Sequence, residues 1–350
     1  MTDSAVLPTA PGLGSRIWRA YAPLAVLWLA YYAGLRIVLA PFDTEMPLFP
    51  ERYVPVFVTT LVTFFVAVVA VAYVRYVSMG NVPRSERIAR LTANIRWSEV
   101  TGIGSIPPLL FVFTLMSMFK AFKPRIPDLS AFTWDPVFIA WDRVLFLGRD
   151  GWEVTHALMP WPWATLIIDR FYLAWFVVVL LATCVAAFSP MMSRMRLAYL
   201  MTFLLNWAVG GCVLATVFSS VGPVFLDRLS GDMDFVAMLA RLDQAGAIAP
   251  LWTISGIELL WAGHTNQPGV EPYGISAFPS LHVCMSLLVV LYVQGLGRWW
   301  RGLAWAFFAV ILFGSVHLGW HYLVDGLAGM AICWVNWRAS LWFAGWWLRD

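Results

Sequence analysis

Charge is scarce in this sequence. Only 12% of its 350 residues are Asp, Glu, Lys or Arg, against roughly 25% in soluble domains, so water cannot be the solvent for most of its surface. The formal net charge of +3 excludes a nucleic-acid partner, because binding a phosphate backbone needs a dense basic face. Cysteine is scarce too. Cys184, Cys212, Cys284 and Cys333 each sit inside an apolar run, without the paired spacing of a disulfide framework or a zinc site, and each reads as a small core residue. No internal repeat and no low-complexity block occurs. The amino terminus also lacks a signal-peptide pattern: the first apolar run is long, holds Arg36 and has no small-residue cleavage site, which marks a retained span.

What the chain has in abundance is apolar surface, 61% of its residues with 24 Phe and 21 Trp, arranged in long uninterrupted runs. A spanning helix needs roughly 20 apolar residues. Eight stretches qualify, near 21–41, 55–75, 101–119, 164–188, 197–219, 278–296, 302–317 and 322–346, the last two merging. The expected fold is therefore all-α: a polytopic membrane helical bundle of about eight spanning helices, with interfacial helices on the non-cytoplasmic side. Residues 1–20 read as a mobile cytoplasmic tail and 21–350 as a single membrane-embedded domain. Orientation follows from the short basic connections, which stay in the cytoplasm. Arg75, Arg84, Arg87, Arg90 and Arg96 follow the second run, Arg194 and Arg196 the fourth, Arg298 and Arg301 the sixth. With an even span count both termini, including Arg16, Arg19, Arg338 and Arg349, join that side, and Trp334, Trp337, Trp342, Trp346 and Trp347 form an aromatic belt there. The opposite side receives two long connections, 120–163 and 220–277. In the first, Asp135, Asp142 and Arg149 recur at seven-residue intervals, while Val137, Phe138, Trp141, Val144 and Leu145 gather on another face, as in a helix lying in the headgroup layer. Asp234 to Leu242 reads similarly.

Five histidines carry the candidate chemistry, since ionisable groups in or near spans are costly. His282 closes the stretch Phe278-Pro279-Ser280-Leu281-His282 at a helix start, where Pro is tolerated and free N–H groups with the Ser280 hydroxyl make an anion site. His321 and Asp325 are four apart, which on a helix stacks them on one face, so the carboxylate can orient the imidazole. By the loop count this pair and His282 emerge on the same side. Two imidazoles, one buttressed by Asp, beside an anion pocket suit phosphoester cleavage without metal. Neutral His321 attacks phosphorus and His282 gives its proton to the departing oxygen. No metal and no cofactor is expected. His317, one turn before His321, reads as a pocket residue. His156 and His264 read as structural or headgroup-facing, with His264 in a polar loop leading into the motif helix.

Phe278-Pro279-Ser280-Leu281-His282 and His321-Tyr322-Leu323-Val324-Asp325 resemble the second and third signature motifs of the type-2 phosphatidic acid phosphatase superfamily, P-S-G-H and S-R-x5-H-x3-D. Leu281 in place of Gly is similar to the branch that includes inositol phosphorylceramide synthases, which move a phosphoinositol headgroup between lipids. The resemblance covers the last third of the chain best. It implies His321 as nucleophile, Asp325 as its partner and His282 as general acid. Ser315 stands where the family has Arg, Gly314 where it has Ser, and no K-x6-R-P motif occurs. The phosphate charge then falls to other cations, and Lys120, Lys123, Arg125 and Arg143 cluster on the right side. Ser280, His317, Lys120 and Lys123 are accordingly the expected substrate-binding residues. The expected partners are a membrane lipid phosphate and the bilayer. The expected setting is a multi-pass plasma (inner) membrane protein with its site facing the periplasm or lumen, acting as a lipid phosphatase or headgroup phosphotransferase. The alternative from another class is a proton-coupled transporter using the His/Asp cluster as a relay, which would place ionisable residues near midspan in paired broken helices.

Overall fold

The computed structural model describes residues 12–48, 54–93 and 104–349, and every regular element among them is helical. In chain order the main helices are α1 (Leu13–Leu39), α2 (Val54–Ser78), α3 (Arg84–Thr92) and α4 (Ile106–Phe122), which runs on through the turns Lys123–Arg125 and Ile126–Leu129. Next come α5 (Asp135–Leu145), α6 (Gly151–Leu158), α7 (Pro162–Leu173) and α8 (Trp175–Ala187). Then α9 (Arg194–Leu205) continues through a π-helical stretch, Asn206–Leu214, to Val217. The last five are α10 (Val236–Gly246), α11 (Trp252–His264), α12 (Leu281–Val293), α13 (Arg298–His317) and α14 (Leu323–Trp347).

Each of the eight apolar runs contains a helix among the described residues, although the last, at Leu323–Trp347, is not among those that qualify as spans. Six segments are long and apolar enough to cross a membrane: Leu13–Phe42, Val54–Ser78, Ile106–Leu129, Pro162–Ala187, Arg194–Val217 and Arg298–His317. The chain is a multi-pass membrane protein. The run expected at 278–296 is a shorter helix of 13 residues, because Pro279 and the Ser280 cap delay its start until Leu281. The first helix starts at Leu13, within the stretch read as tail. The rest of that tail, residues 1–11, the start of the third run at 101–103 and Arg96 lie outside the described residues.

The bundle is built around α9 and α12. Every residue of α9 from Arg196 to Leu204 is buried, and α9 packs along α14 while α12 lies between α13 and α14. By contrast α2 buries only Phe64; a helix apolar all round with an outward surface belongs in hydrocarbon. Small residues bring the motif helices together. A Cβ at Gly329 of α14 would come within 2.5 Å of the Ser280 carbonyl, and one at Gly326 within 2.9 Å of Leu312, the close approach that Gly permits in membrane bundles.

Helix α5 departs from the sequence expectation in its facing. Its polar face was expected toward headgroups, yet Asp135 and Asp142 are each only 3% exposed while Trp141, Val144 and Leu145 point outward. The reason is the backbone behind it. A buried carboxylate is tolerated only when hydrogen-bonded, and both meet unpaired N–H groups: Asp135 those of Val221 and Gly222, each at 2.9 Å, and Asp142 those of Leu323 and Val324, at 2.8 and 2.9 Å.

Candidate active site

The first motif sits at the start of α12. Ser280 is its N-cap, the side chain accepting from the Val283 N–H, which satisfies one of the free donors of that turn. His282, on the first turn, is clamped by aromatic rings, Tyr172 at 4.7 Å and Trp175 at 4.3 Å between centroids. The Trp175 indole N–H donates to the His282 carbonyl at 2.9 Å. These rings flank the imidazole, and its Nε2 has no hydrogen-bond partner among the described residues.

The second motif begins where α13 ends. The chain reverses at Gly319, whose φ of +72° is a conformation that Gly adopts without strain. His321 therefore lies beyond the bend and just before α14, with its backbone N–H on the Ser315 carbonyl at 3.1 Å. Its contact with Asp325 runs across the start of α14 instead of along a continuous helical turn. Nδ1 of His321 stands 3.4 Å from Oδ2 of Asp325, slightly longer than a formed hydrogen bond. Asp325 is held in turn by the Tyr322 N–H at 3.1 Å, and its own carbonyl accepts from the Ser280 N–H at 3.0 Å. That last bond joins the two motifs main chain to main chain.

The imidazoles of His282 and His321 are 6.1 Å apart between ring centroids. Both line one cavity of about 420 Å³ walled by Trp175, Phe176, Trp207, Trp252 and Trp320. Lys123 is the one Lys or Arg among its described lining residues. Among the described residues it makes no ion pair, so it offers an uncommitted positive charge facing both imidazoles. Its place is fixed by Gly274, where a Cβ would collide with the Lys123 backbone at 2.3 Å. Burial, and next the Lys123 ammonium, push the His321 imidazole down to about 3, with the Ala277 carbonyl acting the other way. His321 is thus neutral near pH 7, the form that carries a nucleophilic lone pair.

The remaining sequence candidates fall elsewhere. Asp325 stands behind His321, and Ser280 is engaged as the cap. His317 is fully buried and turned to the opposite side of α13: Nε2 lies 2.9 Å from Thr165 Oγ1 and its ring stacks at 3.9 Å on His156, which itself reaches the His317 carbonyl at 2.9 Å. Lys120 pairs with Glu271 and lines a separate polar cavity that Arg125 and His264 share. Arg143 is bound to Asp150 at 2.8 Å and Asp234 at 2.7 Å, which hold its guanidinium charged and tie α5 to the start of α10.

Tyr172 and Trp175 beside His282 escaped sequence reading, since aromatic residues inside an apolar run carry no distinguishing signal. Asp135 and Asp142 did carry one, their seven-residue spacing. Asp142 caps α14 at Leu323 and Val324, the two residues just before Asp325, and Asp135 also accepts from the Tyr322 hydroxyl at 3.0 Å. Burial pushes the Asp142 carboxyl up to about 6, against the pull of the Leu323 and Val324 N–H groups, with Asp325 and Asp150 adding to the rise. Burial likewise raises Asp135, opposed by its hydrogen bonds.

Two buried imidazoles and an ammonium without an ion pair among the described residues line one cavity, with a carboxylate behind His321, and these are parts that phosphoryl transfer can use. The PAP2 superfamily model matches residues 137–339, more than half of the chain and both motifs, and the chain belongs to that superfamily of phosphatases and phosphotransferases. No curated protein and no solved structure matches it.

Proposed function

We propose that the protein is a lipid phosphatase or lipid headgroup phosphotransferase working through a phosphohistidine. The observation that carries this reading is the convergence of His282, His321 and Lys123 on one cavity, with Asp325 behind His321. Nδ1 of His321 faces Asp325, so Nε2 is the attacking atom: an N–P bond forms, the P–O bond to the departing group breaks, and His282 gives that oxygen its proton. Asp325 supports the positive charge that develops on the ring. Lys123 meets the phosphate charge in the place of the arginine that Ser315 replaces. In the second half His282 takes a proton from the acceptor hydroxyl, whose oxygen displaces His321 from phosphorus.

An amphiphile fits the surroundings. Trp175, Phe176 and Trp207 line both the cavity of the two imidazoles and an adjoining apolar recess of about 240 Å³ between α2, α4, α8 and α9, a surface suited to a hydrocarbon chain. The arginine distribution supports a site at the non-cytoplasmic leaflet of the plasma (inner) membrane, with both termini in the cytoplasm. Leu281 in the Pro-Ser-Leu-His sequence supports the inositol phosphorylceramide synthase-like branch, and so transfer of a substituted phosphate.

The test is a liposome assay with phosphatidic acid, prenyl pyrophosphate and phosphatidylinositol in EDTA, comparing the protein with His321→Ala and His282→Ala. Metal-independent turnover that both substitutions abolish, with radiolabelled phosphate trapped on the protein but not on His321→Ala, is the expected result. Unchanged turnover in the variants removes the mechanism, and a proton-coupled transporter would trap no label.

A further inference from the structure

Beside the catalytic cavity lies a second one of about 360 Å³ with a different chemistry. Its charged residues cancel. Lys120 pairs with Glu271, and Arg125 with Asp128 at 3.2 Å while its Nε donates to Thr44 Oγ1 at 3.1 Å. His264 and Asn266 complete the polar wall. Burial, offset in part by Asp128, lowers the pKa of His264, so it adds no charge near neutrality. A phosphate dianion finds no net positive field there. Hydroxyl groups do find partners, because each donates and accepts, and among its prolines this wall carries carboxylate and amide acceptors beside ammonium, guanidinium and amide donors.

The two cavities are neighbours. Tyr273 lines both, with the Lys120 ammonium 5.0 Å from its ring centroid on the polar side. Lys120 and Lys123, one serving each cavity, are three residues apart on a helical path, a separation of about 5 Å along the axis. A six-carbon polyol spans such a distance.

We propose that this polar cavity binds a neutral polyhydroxylated group, a polyol or sugar, and presents one of its hydroxyls past Tyr273 to phosphorylated His321. The inference rests on the phosphohistidine reading and names the acceptor class for it. The step balances without a co-reactant. The acceptor O–H loses its proton to His282, its oxygen bonds phosphorus, and the P–Nε2 bond breaks to return neutral His321. The polyhydroxylated group is either a free polyol or the headgroup of a glycolipid, and the two sources are told apart below.

The experiment uses the full chain in liposomes with phosphatidic acid radiolabelled at phosphorus. One arm adds free glycerol, sorbitol, inositol or glucose; the other adds vesicles doped with glycosyl diacylglycerol. Label on the protein, on the sugar or polyol, and in inorganic phosphate are measured. The expected result is label on a polyol or glycolipid in one arm. The ratio of that product to inorganic phosphate should fall roughly tenfold or more in Glu271→Gln and in Asp128→Asn, the cost of a lost hydrogen bond to a charged group. Asp128 is half exposed, so its variant carries the test if Glu271→Gln does not fold. Label that reaches the protein and then only water in both arms overturns the acceptor site, as does a ratio unchanged in both variants. A protein that takes up no label overturns the phosphohistidine reading and this inference with it.

Discussion

Lys120 and Lys123 stand on the same stretch of chain with opposite fates. Lys120 meets Glu271 at once and becomes part of a neutral, hydrogen-bonding wall, whereas Lys123 enters a cavity of tryptophans where no carboxylate among the described residues answers it. The difference lies in the segment that folds back over them: residue 271 brings an acid to the first lysine, and Gly274, three residues on, brings only bare backbone to the second. A cation in an apolar, water-poor cavity acts on a bound anion far more strongly than the same cation in a satisfied pair, because the low local dielectric leaves its field unscreened.

The comparison can be broken experimentally. His321→Ala abolishes turnover and phosphate trapping, the largest expected effect, a loss of at least about 10⁴-fold for a covalent nucleophile. Lys123→Gln slows phosphoenzyme formation roughly 10²-fold to 10³-fold, the magnitude for one preorganised electrostatic contact, while Lys120→Gln changes how the phosphoenzyme is partitioned among acceptors. Equal losses of trapping rate in the two lysine variants would remove the distinction drawn between the cavities. Asp142→Asn removes one of the two acceptors capping α14 and lowers stability by about 1–2 kcal/mol, read from thermal unfolding in detergent. His317→Gln, which disturbs the buried Thr165, His156 and Phe313 contacts, costs about 1 kcal/mol of stability and leaves trapping intact.

The pH dependence of unfolding separates the two buried groups by sign. Native His321, pushed down to about 3 from an ordinary 6.5, binds fewer protons than it does in the unfolded chain across that window. Its contribution therefore falls as pH drops from 6.5 to 3. Native Asp142, raised to about 6 from 3.8, binds more protons than its unfolded counterpart, so its contribution is greatest below pH 3.8 and is lost as pH rises to 6. His321→Gln should lose acid stability less steeply than the parent, and Asp142→Asn more steeply between pH 4 and 6; melting curves across pH check both.

The helices were legible because lipid-solvated segments must be continuous and apolar, and that leaves an unmistakable run of letters. The motif residues were legible because Pro279 and Ser280 announce a helix start and because His321 and Asp325 keep a short fixed spacing. The facing of α5 was not. A seven-residue spacing says that Asp135 and Asp142 share a side but not which side is inward; at a water interface the apolar side turns in, and against hydrocarbon it turns out. Nor could spacing separate His317 from His321. One helical turn apart on paper, they are divided by the bend at Gly319, which sends one imidazole toward α7 and the other into the cavity. Lys120 and Lys123 were indistinguishable for a similar reason, since their roles depend on a segment some 150 positions away.

The bond from the Ser280 amide to the Asp325 carbonyl, with Gly329 seated against the Ser280 oxygen, has a consequence for how such a catalyst can change. The distance between His282 and His321 is set in part by this main-chain link, beside the Tyr172 and Trp175 rings that flank His282. Substituents at the neighbouring positions, Leu281 and Ser315 among them, are therefore free to drift and re-tailor what the enclosure admits, while the spacing of its reactive centre persists like the frame of a rebuilt house.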